Sequence, residues 1–541
     1  MNVVDVFHEA AARRPDAVAL IGGRAGRETT VRFGELDRRV RQIASLLRES
    51  GLRPGDGVAV LVPMSIELYA VMAGLLHAGL VPVFAEPAVW RRTIGHGLSG
   101  IALRAFIGIP AACALRLFVP ALRAIPHAFV AGSWFPGATS LNAAARMTPS
   151  PGSTLRDGRE TAIVTFTSGT TGAPKGVLRS HGLLLATHRI LGGHLQLVPG
   201  EVQVSVLPIF VFTNLGAGAA SLIPDADLTR PGAIDADRLL GQIVRWRPTG
   251  MVAPPSLASR LAQAALPNRA LGSLRRALIG GAPVFPELLD RFALAAPGAR
   301  VSAIYGASEA EPIAVLDRDT ITESDRHAIH TGNGLLAGRP IPEISLRIVR
   351  ADAAGFQGPW QPSDLDAFTL GPGESGEIIV SGENVSPGYL GGEADRNTKI
   401  DVAGTRWHRT GDAGRMDDQG RLWLLGPESA SFTGARGRCH PLTVDAALSD
   451  HRDVVRATLM QEDDRALLVI EPRRPLGPDD VAAIAASVPW AGAQEVVLLD
   501  HLPMDRRHQA KIDHPALRAL LRERRWRLRV PIVPFAAGGA G

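Results

Sequence analysis

Lysine is nearly absent from this chain. Only three of its 58 basic residues are lysine (Lys175, Lys399 and Lys511), and the other 55 are arginine. Where arginine has replaced lysine almost everywhere, a remaining lysine is expected to do something that arginine cannot. A compact ammonium approaches one phosphate or carboxylate oxygen as a point charge, whereas a guanidinium is a broad fork. We therefore predict functional roles for Lys175 and Lys511.

Cysteine is also scarce, and no long uninterrupted apolar run occurs. Two cysteines, Cys113 and Cys439, exclude a disulfide framework, and no metal-ligand spacing surrounds them. The first residues lack the basic and then apolar pattern of a signal peptide. The longest apolar run, residues 68–84, is broken by two glycines, a histidine and a proline, which predicts a buried helix and then a strand. We expect a cytoplasmic protein without an integral membrane segment.

The charge pattern does not favour nucleic acid as a partner. The formal net charge is +5, but the arginines are dispersed among 53 acidic residues, and no DNA- or RNA-binding motif is present. The most basic run, residues 522–529, predicts an exposed terminal helix, and a contact with a partner or a membrane surface is the alternative. With 46% hydrophobic and 21% charged residues, the chain is typical of globular proteins.

The length and the order of the predicted elements indicate an α/β protein. A chain of 541 residues is too long for one compact core. Strands alternate with helices to about residue 330, which predicts doubly wound, largely parallel sheets. From about residue 340, short strands and glycine turns predict a small antiparallel or barrel-like subdomain. We predict a large N-terminal domain (residues 1–425), a hinge (426–429) and a small C-terminal α+β domain (430–541).

The chain's most informative stretch is residues 165–176, Thr-Phe-Thr-Ser-Gly-Thr-Thr-Gly-Ala-Pro-Lys-Gly. It follows the apolar run Ala162-Ile163-Val164, which predicts a strand, and we predict a helix from about Val177. Glycines bring backbone N–H groups close to a ligand, while hydroxyls and Lys175 add donors and charge, so the stretch suits phosphate oxygens. It lacks the spacing of a Walker loop. A polar turn between strand and helix is the alternative.

Three further motifs occur in order after this loop: Tyr305-Gly306-Ala307-Ser308-Glu309, His408-Arg409-Thr410-Gly411-Asp412 and the segment around Lys511. Together with the loop they resemble the adenylate-forming superfamily of acyl-CoA synthetases, luciferases and peptide-synthetase adenylation domains. Within it, residues 105–110, 221–231, 281–284 and 504–512 look most like the β-lactone synthetases of bacterial olefin biosynthesis.

The resemblance implies ATP and Mg²⁺ as cofactors and assigns a role to each matching residue. Glu309 would be the magnesium ligand, Tyr305 would stack on adenine, and Asp412 would bind the ribose hydroxyls. Lys511 would contact the carboxylate and α-phosphate oxygens, which makes it catalytic with Glu309 and Thr167. The remaining nucleotide-binding positions are Thr167, Ser168, Gly169, Thr170, Thr171, Gly172, Lys175, Gly281, Ala282, Pro283, Gly306 and Ser308. Each assigned side chain has an ordinary structural alternative, such as a surface glutamate, a core tyrosine, a turn aspartate or a solvated lysine.

Some positions depart from the superfamily's pattern. The hinge begins Gly426-Pro427 where Gly-Arg is usual, which removes a polar contact and stiffens the link. Val211 stands where acyl-CoA ligases often have histidine, and residues 436–441 do not match the element that lines a CoA tunnel. These departures argue against CoA as the acceptor. An apolar acyl pocket is predicted at Phe210, Val211, Phe212 and the 254–256 turn.

We therefore predict an AMP-forming enzyme that adenylates a small-molecule carboxylic acid, namely a long-chain β-hydroxy acid, and closes the acyl-AMP to a β-lactone. A tethered hydroxyl has a high effective concentration, so no second substrate need bind. Two alternatives stay open: an acyl-CoA or acyl-carrier-protein ligase, and a non-catalytic nucleotide-binding scaffold. The resemblance also implies association with other enzymes of an olefin pathway.

Overall fold

The computed structural model describes residues 1–85, 101–167, 174–228, 234–266, 269–350, 352–353, 358–434, 437–505 and 511–532. The predicted site residues Ser168, Gly169, Thr170, Thr171 and Gly172 lie outside these ranges, and of Thr167 only the backbone is described.

The described strands are numbered in chain order. They are β1 (Val18–Gly22), β2 (Thr29–Arg32), β3 (Gly57–Leu61), β4 (Val81–Phe84), β5 (Leu103–Gly108), β6 (His127–Val130), β7 (Thr139–Ser140), β8 (Thr161–Thr167), β9 (Lys175–Ser180), β10 (Val202–Ser205), β11 (Ala220–Leu222), β12 (Gly250–Ala253), β13 (Arg276–Gly280), β14 (Arg300–Ala307), β15 (Ala310–Asp317), β16 (Leu335–Pro340), β17 (Ile344–Val349), β18 (Gly376–Gly382), β19 (Lys399–Val402), β20 (Thr405–Met416), β21 (Leu422–Pro427), β22 (Phe432–Gly434), β23 (Gly437–Cys439), β24 (Val454–Glu462), β25 (Arg465–Pro472), β26 (Glu495–Leu498) and β27 (Leu528–Pro531).

The described α-helices are numbered in the same way. They are α1 (Asp5–Arg13), α2 (Phe33–Glu49), α3 (Ile66–His77), α4 (Pro110–Phe118), α5 (Pro120–Arg123), α6 (His181–His194), α7 (Pro208–Gly216), α8 (Ala236–Trp246), α9 (Pro255–Ala265), α10 (Pro286–Ala295), α11 (Glu323–His330), α12 (Pro362–Phe368), α13 (Asp395–Thr398), α14 (Pro441–Ala447), α15 (Pro478–Ser487) and α16 (His514–Arg522). None of these helices combines the length and the apolar character that crossing a membrane requires.

Two sheets form the large N-terminal domain. The first holds fourteen strands in the order β17-β18-β20-β21-β16-β15-β14-β13-β12-β10-β11-β1-β2, with β19 paired to β20. The second holds seven strands in the order β7-β6-β5-β3-β4-β8-β9 and is parallel except for the β8–β9 pair. Strands such as β12 are buried along their whole length, as expected of parallel strands covered by helices on both faces. The predicted doubly wound α/β architecture is confirmed.

The strands between residues 335 and 427 are antiparallel, as predicted, but they do not close into a barrel, so the barrel-like prediction is wrong. Strand β16 pairs with β15 on one side and with β21 on the other. Its backbone groups therefore join the antiparallel strands to the parallel half in one continuous sheet. The ends of the described strand order, β17 and β2, do not pair with each other.

The small C-terminal domain is built on the four-stranded sheet β24-β25-β26-β27 and the hairpin β22–β23. Its core contains side chains from all four strands, α14 and α15. Helix α14 also contacts the large domain, since Leu442 and Ala446 belong to the main core of the fourteen-stranded sheet. A hydrogen bond from Ser449 Oγ to Glu287 Oε2 (3.0 Å) links the two domains as well.

The predicted terminal helix over residues 522–529 is wrong. Helix α16 ends at Arg522, and β27 begins at Leu528 and pairs antiparallel with β26. Leu528 and Val530 alternate with arginines, and both pack against the small-domain core. This alternation of apolar and charged residues has the period of a strand with one buried face.

Candidate active site

Lys175 begins β9, directly opposite the end of β8. Thr167 and Lys175 are register partners in this antiparallel pair, so the predicted phosphate-binding stretch connects two strands. The predicted helix at Val177 is wrong, because Val177 is a buried strand residue that pairs with Thr165 and also bridges to Tyr389. Helix α6 begins only at His181, after Ser180 has capped it by accepting a hydrogen bond from the Leu183 N–H.

Glu309 lies in the tight turn between β14 and β15. Ala307 and Ala310 pair across this turn, so Ser308 and Glu309 are its two connecting residues. Both are half-buried. The backbone N–H of Ser386 donates to the Glu309 carbonyl at 2.6 Å, and Val385 forms a bridge with Ala310. The segment after β18 is therefore fixed against the turn that carries the predicted magnesium ligand.

That segment, residues 385–390, also pairs with the start of β9. The Leu178 N–H donates to the Gly388 carbonyl at 3.0 Å, and the Leu390 N–H donates to the Gly176 carbonyl at 2.7 Å. Segment 385–390 thus contacts both the Glu309 turn and the strand that begins with Lys175. These two predicted site residues come together through a piece of chain that the sequence analysis did not single out.

Tyr389 contacts both Glu309 and Lys175. Its hydroxyl donates to Oε1 of Glu309 at 2.7 Å, and the Lys175 Nζ lies 5.7 Å from the centroid of its ring. Burial, followed by the negative charge of Glu309, raises the pKa of Tyr389, so the phenol stays protonated and can donate. A cation and a carboxylate are therefore held around one aromatic ring.

Lys399, the remaining lysine, stands at the same ring. Its Nζ is 5.7 Å from the Tyr389 centroid and donates to the Ser386 carbonyl at 2.6 Å. Burial lowers the pKa of Lys399 to about 8, while the charges of Glu309 and Asp395 act in the opposite direction. Two of the chain's three lysines and one of its three tyrosines therefore meet beside Glu309.

The residues predicted to bind the nucleoside form a second group, which lies at the carboxyl ends of β13 and β14. These strands are parallel neighbours with Gly280 opposite Ile304, so Gly281-Ala282-Pro283 and Tyr305-Gly306 leave the same edge of the sheet. Ligands of open α/β sheets bind at this edge. Gly281 has φ +91°, a left-handed conformation that glycine adopts readily.

Asp412 lies beside Tyr305. The Tyr305 hydroxyl donates to Asp412 Oδ2 at 2.8 Å, and burial, followed by the Asp412 charge, raises the pKa of Tyr305. The Asp412 N–H donates to Thr410 Oγ1 at 3.1 Å, which in turn donates to the Ile378 carbonyl at 2.9 Å. Two residues predicted to bind different parts of a nucleoside are thus in direct contact.

Lys511 belongs to the small domain and is exposed. Its backbone forms a reciprocal pair with Asp505: the Lys511 N–H donates to Asp505 Oδ1 at 2.9 Å, and its carbonyl accepts from the Asp505 N–H at 2.8 Å. The contacts that hold Glu309, Lys175 and Lys399 around Tyr389 do not involve Lys511.

The predicted acyl-pocket residues on α7 are buried in different clusters. Phe210 packs with side chains of β12, β13 and β14, whereas Val211 and Phe212 pack in the core that α1, α2 and α3 share. Their place in a substrate pocket stays a prediction. One cavity of about 220 Å³ opens at the other edge of the sheet, beside the first residues of β13 and β14, and includes none of the predicted site residues.

The donor set suits a magnesium ion that binds together with a nucleotide. Among the residues that the structure describes, no group of three or more Asp, Glu, His or Cys side chains could hold a metal alone. Mg²⁺ retains several waters and binds through one or two carboxylates plus substrate phosphates, so it does not need a closed protein cage. Glu309, aimed by Tyr389 and near Lys175, fits that mode.

Comparison with known proteins identifies the family. The family model described as AMP-binding enzyme matches residues 7–390. The chain is 30% identical to an olefin beta-lactone synthetase of Xanthomonas campestris pv. campestris, over 95% of the chain and 96% of the relative. It is 31% identical to another from Stenotrophomonas maltophilia, over 95% of the chain and 97% of the relative.

Solved structures support the fold. ATP-bound MatB from Rhodopseudomonas palustris superposes with a TM-score of 0.77 at 19% identity, over 97% of this chain and 99% of that one. The amide bond synthetase McbA from Marinactinospora thermotolerans gives 0.77 at 23% identity, over 96% and 99%. The resemblance in sequence is thus confirmed, and the chain belongs to the family of AMP-binding, adenylate-forming enzymes.

Proposed function

We propose that this enzyme uses ATP and Mg²⁺ to adenylate a β-hydroxy carboxylic acid and then closes the acyl-AMP to a β-lactone. The observation that carries the first step is the placement of Lys175 and Glu309 around Tyr389. The second step is supported by the similarity, along almost the whole chain, to two olefin beta-lactone synthetases.

The adenylation site must above all neutralise the negative charge of the ATP triphosphate. Acid or base groups matter less. A carboxylate oxygen attacks the α-phosphorus of ATP, a bond to the acyl oxygen forms, and the bond to pyrophosphate breaks. We assign Lys175 and the backbone N–H groups of residues 168–172 to the β- and γ-phosphates, where positive charge eases pyrophosphate departure. Glu309 would hold the Mg²⁺, which when bound neutralises phosphate charge and fixes the triphosphate's orientation.

The nucleoside would lie at the carboxyl ends of β13 and β14. We assign Asp412 to the ribose hydroxyls, Tyr305 to the face of the adenine, and Gly281-Ala282-Pro283 to its edge. We assign Ser308, in the turn after β14, to the α-phosphate region, and Gly306 at the end of β14 to the nucleotide. The Tyr305–Asp412 hydrogen bond supports this assignment because it fixes both side chains before a nucleotide arrives.

Lys511 would complete the first step from the small domain. We propose that residues 426–429 act as a hinge and that rotation about it brings the exposed Lys511 to the carboxylate and α-phosphate oxygens. Gly426 and Pro427 pair with β20 as the end of β21, and a short 3-10 helix follows from Glu428. The two domains would accordingly be residues 1–425 and 430–541.

The second step needs no further bound acceptor. The β-hydroxyl oxygen attacks the acyl carbon, the carbon–oxygen bond to AMP breaks, and AMP leaves with the electron pair while the hydroxyl proton passes to solvent. The attacking group is part of the same molecule, so its effective concentration is high. The names of the relatives, olefin beta-lactone synthetases, favour a β-hydroxy acid whose lactone enters an olefin pathway, and we propose that its chain is long.

The test is product analysis with ATP, Mg²⁺ and a long-chain β-hydroxy acid, with and without CoA. We expect lactone, AMP and pyrophosphate in equal amounts without CoA. The same acid without its hydroxyl is the matched substrate control and should stop at the acyl-AMP. A strict requirement for CoA or a carrier-protein thiol would instead favour the acyl ligase, and nucleotide binding without acid-dependent pyrophosphate exchange would favour the scaffold.

A further inference from the structure

The side chain of Glu309 needs a fixed orientation if it is to bind a metal ion. A carboxylate in a two-residue turn can rotate, whereas a ligand for Mg²⁺ works best when a hydrogen bond fixes its orientation. In this chain the hydrogen bond comes from Tyr389, whose hydroxyl is 2.7 Å from Oε1. Tyr389 belongs neither to the phosphate-binding stretch nor to the motif that contains Glu309.

Tyr389 is itself held in place by several contacts. Its N–H donates to Asp395 Oδ1 at 2.8 Å, and its backbone bridges to Val177 on β9. Lys399 lies 5.7 Å from its ring centroid and donates to the Ser386 carbonyl at 2.6 Å. The backbone N–H of Ser386 in turn donates to the Glu309 carbonyl. Lys399 therefore fixes both the ring and the backbone that adjoins the Glu309 turn.

Lysine suits this position better than arginine. The ammonium donates to one carbonyl oxygen while it stays over an aromatic ring, and the residue is half-buried at the start of β19. A planar guanidinium prefers paired acceptors and needs more room. The presence of a lysine at position 399, in a chain with 55 arginines and three lysines, is a second observation in favour of a specific role for Lys399.

We propose that Tyr389 and Lys399 are positioning residues that orient the Glu309 carboxylate for the metal–triphosphate complex and keep it beside Lys175. The inference rests on the proposed role of Glu309. Tyr389 acts through its hydroxyl, and Lys399 acts through the Tyr389 ring and the Ser386 carbonyl. Neither residue needs to touch the nucleotide.

The test compares the ATP affinity of the full-length protein with and without Mg²⁺, measured by calorimetry, in wild type, Tyr389→Phe and Lys399→Met. We expect Mg²⁺ to tighten ATP binding in the wild type and expect this gain to fall about tenfold in Tyr389→Phe, since losing a hydrogen bond to a metal ligand typically weakens metal binding tenfold or more. Lys399→Met should reduce the gain in the same direction, by about threefold, because it acts through a neighbour.

Arg406→Met is the matched control. Arg406 donates to the carbonyl of Pro387 at 2.8 Å, so this variant also removes a cation bound to segment 385–390. Arg406 also lies 4.0 Å from Asp395 Oδ2, but neither contact involves the Tyr389 hydroxyl or Glu309. We expect its gain from Mg²⁺ to match that of the wild type. Equal losses in Arg406→Met and Lys399→Met would overturn the proposal, because both lysine and arginine would then merely hold the backbone.

A double variant gives an independent check. If Lys399 acts through Tyr389, Tyr389→Phe combined with Lys399→Met should lose no more of the gain from Mg²⁺ than Tyr389→Phe alone. Fully additive losses, or an unchanged gain in Tyr389→Phe, would contradict the inference while leaving adenylation intact. A wild type that fails to bind ATP at all would instead refute the proposed function, so the two failures are distinguishable.

Discussion

Lys175 and Lys511 lie in contrasting surroundings. Lys175 is half-buried at the start of β9, over the ring of Tyr389 and near Glu309. Lys511 is exposed on the small domain, next to Asp505. The large domain therefore presents Lys175 and Glu309 already arranged around one ring, and we propose that Lys511, which acts on the reacting oxygens, must be brought to them. If the proposed roles are right, variants of Lys175 should impair nucleotide binding and variants of Lys511 should impair catalysis.

The largest effect is expected from Lys511→Ala. Removal of a charge that stabilises only the transition state should slow acid-dependent ATP–pyrophosphate exchange about 1,000-fold, while the dissociation constant of ATP stays within about twofold. Arg518→Ala, which removes another exposed cation from the small domain, is the control and should leave the exchange rate unchanged. If the Lys511→Ala enzyme catalyses ATP–pyrophosphate exchange at the wild-type rate, Lys511 does not have the proposed catalytic role.

The second effect concerns the stability of the large domain in acid. Burial, aided by the charge of His8, lowers the pKa of His77 to about 3, and its side chain is fully buried. The unfolded state takes up a proton below about pH 6.5 and the folded state does not, so stability is lost as the pH falls. One such histidine accounts for about 2 kcal/mol between pH 7 and pH 5.

Urea unfolding at the two pH values tests this expectation. The pH-dependent part of the free energy of unfolding should shrink by about 2 kcal/mol in His77→Gln. His501→Gln is the control, because that side chain is 88% exposed, and it should behave like the wild type. If both variants keep the full pH dependence, His77 does not carry the acid sensitivity.

A third effect is expected from Lys175→Met, which removes the lysine of the large domain, as Lys511→Ala removes that of the small domain. Loss of a charged contact to the triphosphate should weaken ATP binding about tenfold. Once ATP is saturating, the exchange rate should fall far less than in Lys511→Ala. Calorimetry and exchange kinetics together give both numbers. Unaltered ATP affinity would mean that the arranged site in the large domain does not hold the phosphates.

The smallest effect is expected at the hinge. Gly426 has φ +109°, and a Cβ there would lie 2.9 Å from the Leu442 Cβ on α14. Gly426→Ala should cost about 1 kcal/mol or more of stability and loosen the docking of the small domain. Gly404→Ala has a similar positive φ but no neighbouring atom within 4 Å, so it isolates backbone strain from the clash. Limited proteolysis should cut Gly426→Ala faster than Gly404→Ala, and equal rates would argue against a sensitive contact.

Much of the large domain followed from local sequence patterns. The apolar run over residues 68–84 is α3 followed by β4, and the run at residues 162–164 lies in β8. Two of the failed predictions, the helix from Val177 and the closed barrel, share one cause: both depend on partners distant in sequence. Residues 175–180 form a strand because β8 and segment 385–390 supply hydrogen bonds on both sides. The prediction of a barrel was wrong because β16 pairs with β15, which joins the antiparallel strands to the large sheet.

The candidate site was predictable in part for the same reason. Lys175, Glu309, Tyr305 and Asp412 belong to motifs, and the structure brings them together in two pairs. Tyr389 was missed because its position depends on long-range pairing that no local pattern reveals. The scarcity of lysine pointed to three residues, and Lys399 was the one left without a role.

The central claim is that Lys175 and Glu309 bind the same metal–triphosphate complex. Crystals grown with Mn²⁺ and a non-hydrolysable ATP analogue test it most directly, because the anomalous signal locates the metal. We predict one manganese peak bound to the Glu309 carboxylate, with the Lys175 ammonium in hydrogen-bond contact with a β- or γ-phosphate oxygen. A nucleotide whose metal lies away from Glu309, or whose phosphates do not meet Lys175, would contradict the account.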